Sequence, residues 1–283
     1  MKTILYSLLL LFSLVSCTEK MDVKLDSTYT RLVVEGKVTT DFQKHFVKLS
    51  ESSDVFFNQQ APAVTKAGVS LTDGVQTFFL KETRKGYYET TEAFSGIPGK
   101  TYHLSISNVD IDKDGKMEEY HASSFLTPPH TIDSVKMFYD DNYYGDKYWL
   151  LGLYLKDQKG RDDYYGFACR VNNVLVHDTI TEVNSTDDRY FDGNNFNGFE
   201  VGLFDQEKPD EILHNNDEIT LEVYAFNKEY HDYLFELQSI ASRQNPLTSG
   251  VPANIRSNVS NGAIGFFTAY SISRAKTRLI IEE

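Results

Sequence analysis

From Arg31 to Leu126 the chain repeats one unit, a run of four to nine residues rich in Val, Leu, Thr and Tyr followed by a turn. The candidate strands are Arg31–Thr39, His45–Leu49, Val69–Thr72, Gln76–Leu80, Tyr87–Thr91, Tyr102–Ser107 and Tyr120–Leu126. Between them stand Asp73-Gly74, Lys85-Gly86 and Ile97-Pro98-Gly99, whose residues take positive φ or fix φ for a turn. No helical period interrupts the series. Short strands in succession must pack face to face to bury their apolar sides. This predicts a mainly β protein that opens with an antiparallel β-sandwich, immunoglobulin-like or transthyretin-like, over 31–128. Pro128-Pro129 ends the unit, because proline donates nothing to a ladder and restricts the residue before it.

A second β-rich domain is expected over 132–283. Its candidate strands are Asp133–Tyr139, Tyr148–Lys156, Tyr164–Asn172, Val174–Thr179, Phe199–Phe204, Glu218–Phe226, Ala263–Ser273 and Thr277–Ile281. The Asp-, Asn- and Gly-rich stretch from Asp187 to Gly198 reads as a long exposed loop. One amphipathic helix is expected over 228–242. Asn227 is a good N-cap, Glu229 suits the first turn, and Tyr230, Tyr233, Leu234, Leu237 and Ile240 recur at helical spacing.

The N-terminus bears on location. Met1-Lys2-Thr3 precedes an apolar run from Ile4 to Val15, too short to span a bilayer, and the run ends in Leu14-Val15-Ser16-Cys17. This is similar to a bacterial lipobox, so 1–17 is expected to be a lipoprotein signal peptide and Cys17 the lipidated residue. The alternative is an ordinary signal peptide with a chance cysteine. Several acyl chains at about 0.8 kcal/mol per buried methylene hold a protein to a membrane durably. Polar residues 18–30 suit a tether. Glu19, Lys20 and Asp22 resemble the charged export signals of surface lipoproteins, and Thr18 is not the aspartate of inner-membrane retention. The expected location is the outer membrane, surface-exposed in preference to periplasmic.

A net charge of -13 argues against nucleic acid, whose binding needs a basic footprint. Of two cysteines, one is assigned to the lipid, so no disulfide framework is available. Cys169 lies in the apolar run Tyr165–Val171, where a buried, inert thiol is expected.

Three constellations carry candidate chemistry. Asp110, Asp112 and Asp114, followed by Gly115, match the first half of a calcium loop. Position twelve is His121 instead of the bidentate glutamate, and the flanks are strands, so a hairpin tip that needs no calcium is the preferred reading. Tyr143, Tyr144, Tyr148 and Trp149 crowd a polar turn and suit a binding surface for protein or sugar, or simple strand packing. Asp26-Ser27-Thr28, Asp133-Ser134-Val135 and Asp178-Thr179-Ile180 resemble O-glycosylation acceptors. No histidine pair, Gly-x-Ser-x-Gly elbow or phosphate loop marks an enzyme, and no cofactor is expected beyond the lipid.

Leu32–Thr39, Phe94-Ser95-Gly96-Ile97-Pro98-Gly99-Lys100-Thr101-Tyr102, Pro128–Val135, Pro252-Ala253-Asn254-Ile255 and Gly262–Phe267 stand in a specific order. In that order they resemble the Bacteroidota envelope lipoproteins catalogued as domain of unknown function 4249. The resemblance covers essentially the whole chain after Cys17. It implies an outer-membrane lipoprotein encoded beside a TonB-dependent transporter, and it implies no catalytic residues. The expected function is that of a non-catalytic accessory lipoprotein, partnering such a transporter in cargo binding or uptake. The alternative is a stand-alone surface module that binds glycan or protein.

Overall fold

In the computed structural model the described residues are 30–52, 61–176, 183–241 and 255–281. Cys17, the tether, Asp26-Ser27-Thr28, Asp178-Thr179-Ile180 and Pro252-Ala253-Asn254 lie outside them. Among the described residues no helix is long and apolar enough to cross a membrane.

The first seven strands are β1 (Leu32–Thr39), β2 (Phe46–Glu51), β3 (Gly68–Thr72), β4 (Thr77–Arg84), β5 (Tyr87–Thr90), β6 (Thr101–Val109) and β7 (Glu118–Phe125). They pair antiparallel in the order β1-β2-β5-β4-β3-β6-β7. Alternation sets their faces: Leu32, Val34 and Val38 of β1 point into the core, while Glu35 and Lys37 point out. Leu49, Tyr88, Tyr102, Ile106 and Tyr120 fill the same interior. The β3–β4 turn is built as its sequence suggests. Asp73 Oδ1 accepts the N–H groups of Val75 and Gln76 at 2.9 and 2.7 Å, and Gly74 takes φ +85.

The second unit contains β8 (Ile132–Tyr143), β9 (Asp146–Lys156), β10 (Tyr164–Val171), β11 (Val174–Val176), β12 (Asn184–Asp187), β13 (Asn195–Asp205) and β14 (Glu218–Phe226). A three-stranded sheet, β13-β9-β8, packs on β10 and β14 through Leu151, Leu153, Leu155, Phe167, Leu221 and Val223. Cys169 is buried in this core, and burial pushes its thiol up to about 12, so it stays protonated.

Helix α1 (Lys228–Ala241) follows β14, capped by Asn227 Oδ1 on the Tyr230 N–H at 2.9 Å. Its Tyr230, Tyr233, Leu234 and Leu237 pack against Phe226, Phe266 and Tyr270.

The last strand, β15 (Ile264–Arg278), joins the two units. Ile264 to Tyr270 run parallel to Val33–Thr39 of β1, and Ser271 to Arg278 run antiparallel to Glu218–Ala225 of β14. One twelve-stranded sheet therefore passes through both sandwiches. Two expectations change. The strands Ala263–Ser273 and Thr277–Ile281 are one, because Arg274 and Lys276 pair with Glu222 and Glu218 of β14 instead of breaking the run. Val259, Ala263, Phe267 and Ala269 also belong to the core of the first sandwich, although sequence position puts them in the second. Asn258 Nδ2 bonds Ser123 O, and Ser124 Oγ accepts the Ala269 N–H, bridging β7 to β15 across the open edge.

The segment Asp187–Gly198 is exposed over much of its length, Tyr190 most of all, but it is not a loop throughout. Its two ends are strand, and Asp188 and Phe196 are buried. Phe191 packs edge-on against Phe196 at 4.6 Å, and that apolar contact draws the turn inward.

Candidate functional site

The core of the first sandwich lies on the side of β15 that carries Phe267 and Ala269. The other side of β15 presents Phe266, Thr268 and Tyr270, and β14 presents Tyr224 and Phe226 on the same face. With α1 above and Glu35, Lys37 and Phe46 beside them, these residues enclose a cleft of about 240 Å³ at the seam between the sandwiches. Tyr230 and Tyr233 of α1 form its roof. Tyr230 stands edge-on to Phe226 at 5.0 Å, and Tyr233 tilts on Phe266 at 4.9 Å.

Hydroxyls supply the polar chemistry of the cleft. Thr268 is 2% exposed, and its buried Oγ1 has no hydrogen-bond partner among the described residues. Burial raises the phenol pKa of Tyr224, Tyr230 and Tyr233, so at neutral pH they are donors and not bases. Tyr224 is fixed in place by its bond to Glu222 Oε2 at 2.8 Å. Burial opposes ionisation of Glu222, but that bond and those from Arg274 and Arg170 at 2.8 and 3.1 Å outweigh it and hold the carboxylate charged. Arg274 in turn grips Asp41 through both terminal nitrogens, at 2.7 and 2.6 Å. At the mouth Glu35 pairs with Lys48 at 2.8 Å, whereas Lys37 forms no ion pair among the described residues and lies 5.7 Å from the Phe46 ring. Rings, neutral hydroxyls and one accessible ammonium suit a small ligand with a flat apolar face and hydrogen-bonding edges.

The sequence marks Tyr230 and Tyr233 only as a helix packing face, and it leaves the convergence with Tyr224, Phe266 and Tyr270 unseen. A signal is present: Tyr224/Phe226 and Phe266/Thr268/Tyr270 recur at period two, which puts each set on one strand face.

The aromatic turn lies elsewhere, at the tip of the β8–β9 hairpin. Tyr144 and Gly145 take φ +51 and +100, and Tyr144 is 94% exposed. Tyr143 stands edge-on to Tyr144 and Tyr148 at 4.8 and 5.6 Å and donates to Glu200 Oε2 at 2.7 Å. These three cluster. Trp149 instead packs on the core, 5.1 Å from Tyr139. Beside the tip, Phe138, Leu150 and Leu203 lie in register across the outer face of the three-stranded sheet, Phe138 and Leu203 exposed.

Among the described residues two sets of carboxylates could hold a metal ion: Asp110, Asp112 and Asp114, and Asp157, Asp188 and Asp192. The first stands at a hairpin tip with Lys113 and Gly115 at positive φ. Its oxygens already accept the N–H groups of Gly115, Asp114 and Lys116, and the Lys116 ammonium sits 3.0 Å from Asp114 Oδ2.

No curated protein matches this sequence. The family model described as Domain of unknown function (DUF4249) matches residues 18–276, which takes in both sandwiches, the cleft and the hairpin, and the chain belongs to that family.

Proposed function

We propose that this protein is a lipid-anchored, outer-membrane accessory lipoprotein, a non-catalytic partner of a TonB-dependent transporter in cargo binding or uptake. The observation that carries the reading is the tyrosine-walled cleft with its unpartnered Thr268 hydroxyl. It is a pre-formed place to hold a small cargo, and its phenols are neutral. The hairpin tip and the exposed Phe138 and Leu203, which flank the buried Leu150, supply the surface that meets the transporter. A lipid on Cys17 confines both proteins to one membrane, where a modest contact gives high occupancy.

The alternative is a stand-alone surface module for glycan or protein. The exposed Tyr144 favours it, because such a ring serves as a stacking anchor whatever the partner. Affinity purification of the tagged protein from gently solubilised membranes separates the two. Recovery of the transporter encoded beside it supports the accessory role, and recovery of the lipoprotein alone, under several detergents, supports the module. In the same cells Cys17→Ala is expected to release the protein from the membrane pellet.

A further inference from the structure

Two connections meet at one end of the second sandwich: Asp157 to Asp163, between β9 and β10, and Asp188 to Asn194, between β12 and β13. Each gives a backbone donor to the other. Gly160 N–H bonds Asp192 Oδ1 at 2.6 Å, and Gly193 N–H bonds Asp157 Oδ2 at 2.7 Å. Asp157, Asp188 and Asp192 each bring a carboxylate oxygen within 4.8 Å of the other two. Asp157 and Asp188 are only 3% and 5% exposed. Among the described residues no lysine, arginine or histidine forms an ion pair with any of the three; Arg161 is bound to Asp163 and Arg189 to Asp187. Like charges at this spacing, withdrawn from water, repel strongly without a counter-charge.

Asp163 is 1% exposed and is knitted to the same group. Its N–H donates to Asp188 Oδ2 at 3.0 Å, and its carbonyl accepts from the Asp188 N–H at 3.2 Å. Asp163 Oδ1 takes the Arg161 guanidinium at 2.7 Å, yet Oδ2 is buried with no partner. The Tyr165 hydroxyl donates to Asp157 Oδ1, so an aromatic ring also borders the cluster. A buried acceptor left over beside carboxylates without ion pairs suits a cation.

We infer that Asp157, Asp188 and Asp192 hold a calcium ion beside the buried Oδ2 of Asp163, and that the ion ties the two connections together. All-oxygen donors exclude a preference for zinc or copper, and an irregular carboxylate set suits calcium better than the strict octahedron of magnesium. In the Asp110–Asp114 set Asp110 Oδ1 is also buried, but Asp112 and Asp114 are exposed to water and Lys116 neutralises Asp114 in part.

Terbium luminescence sensitised by tyrosine, with Tyr165 as the donor, tests this on the full-length protein in detergent. A saturable signal that calcium displaces is expected. Asp192→Asn, at the exposed corner, should weaken it about tenfold or more, and Asp112→Ala should leave it unchanged. Melting supplies the second readout. Millimolar calcium should raise the parent's melting temperature by about 5 °C or more. Asp192→Asn should melt no lower than the parent in chelator and gain nothing from calcium. No displaceable signal, a signal abolished by Asp112→Ala but kept by Asp192→Asn, or an Asp192→Asn deficit that is equal with and without calcium would each overturn the assignment.

Discussion

Val34 and Gly265 face each other across the parallel β1–β15 ladder, and the carbonyl of Val34 leaves no room for a side chain there. A Cβ on Gly265 would lie 2.1 Å from that oxygen, and the backbone sits at φ +91. This contact is where the last strand enters the first sandwich. Gly265→Ala is therefore expected to cost about 3 kcal/mol or more in urea unfolding, or to prevent folding outright. Gly262→Ala, at φ +72 but in open space, should cost only about 1 kcal/mol. Equal costs at the two positions would show that the ladder contact is unimportant.

Asp73 provides a test by pH. Its carboxylate accepts the Gln76 N–H and the Lys100 ammonium, and its pKa is lowered from the ordinary 3.8 to about 2. A folded-state pKa below the unfolded one stabilises the fold above about pH 4, and that stability is lost as pH falls toward 2. The side chain is 5% exposed, so Asp73→Asn should lose about 1–2 kcal/mol at pH 7. The variant should also show a flatter stability profile between pH 4 and 2. A profile that stays parallel to the parent's would contradict the assignment.

Thr268 should behave as a residue kept for binding at the expense of stability. Replacing a buried, unpartnered hydroxyl with a methyl removes a desolvation cost of about 1 kcal/mol, so Thr268→Val is expected to raise the melting temperature by about 2–4 °C. A fall of similar size would mean that Oγ1 has a partner within the folded chain.

The local elements were legible because local chemistry sets them. Asp73-Gly74 and Lys85-Gly86 mark turns, alternation in Leu32–Thr39 marks a half-buried strand, and Asn227 marks a helix start. What stayed hidden depends on residues far apart in sequence. Arg274 and Lys276 read as a polar break until Glu222 and Glu218 are seen opposite them. The parallel pairing of Val33 with Ile264 has no local signature. The same holds for the sites. Tyr143, Tyr144 and Tyr148 could be found together because one hairpin brings them together. The cleft joins residues from β1, β14, α1 and β15, and the carboxylates of Asp157 and Asp188 meet only because two turns interlock.

The central claim is that the Phe138 stripe and the Tyr144 tip meet a transporter in the membrane. Site-specific photo-crosslinking in intact cells tests it most directly, with the crosslinking residue placed in turn at Phe138, Tyr144 and Val75. Val75 is 88% exposed but lies on the first sandwich, at the β3–β4 turn. Crosslinks from 138 and 144 to a TonB-dependent transporter, with none from 75, are the expected result. No crosslink to it from either 138 or 144 in cells that express the transporter, or equal crosslinking from all three positions, would contradict the account.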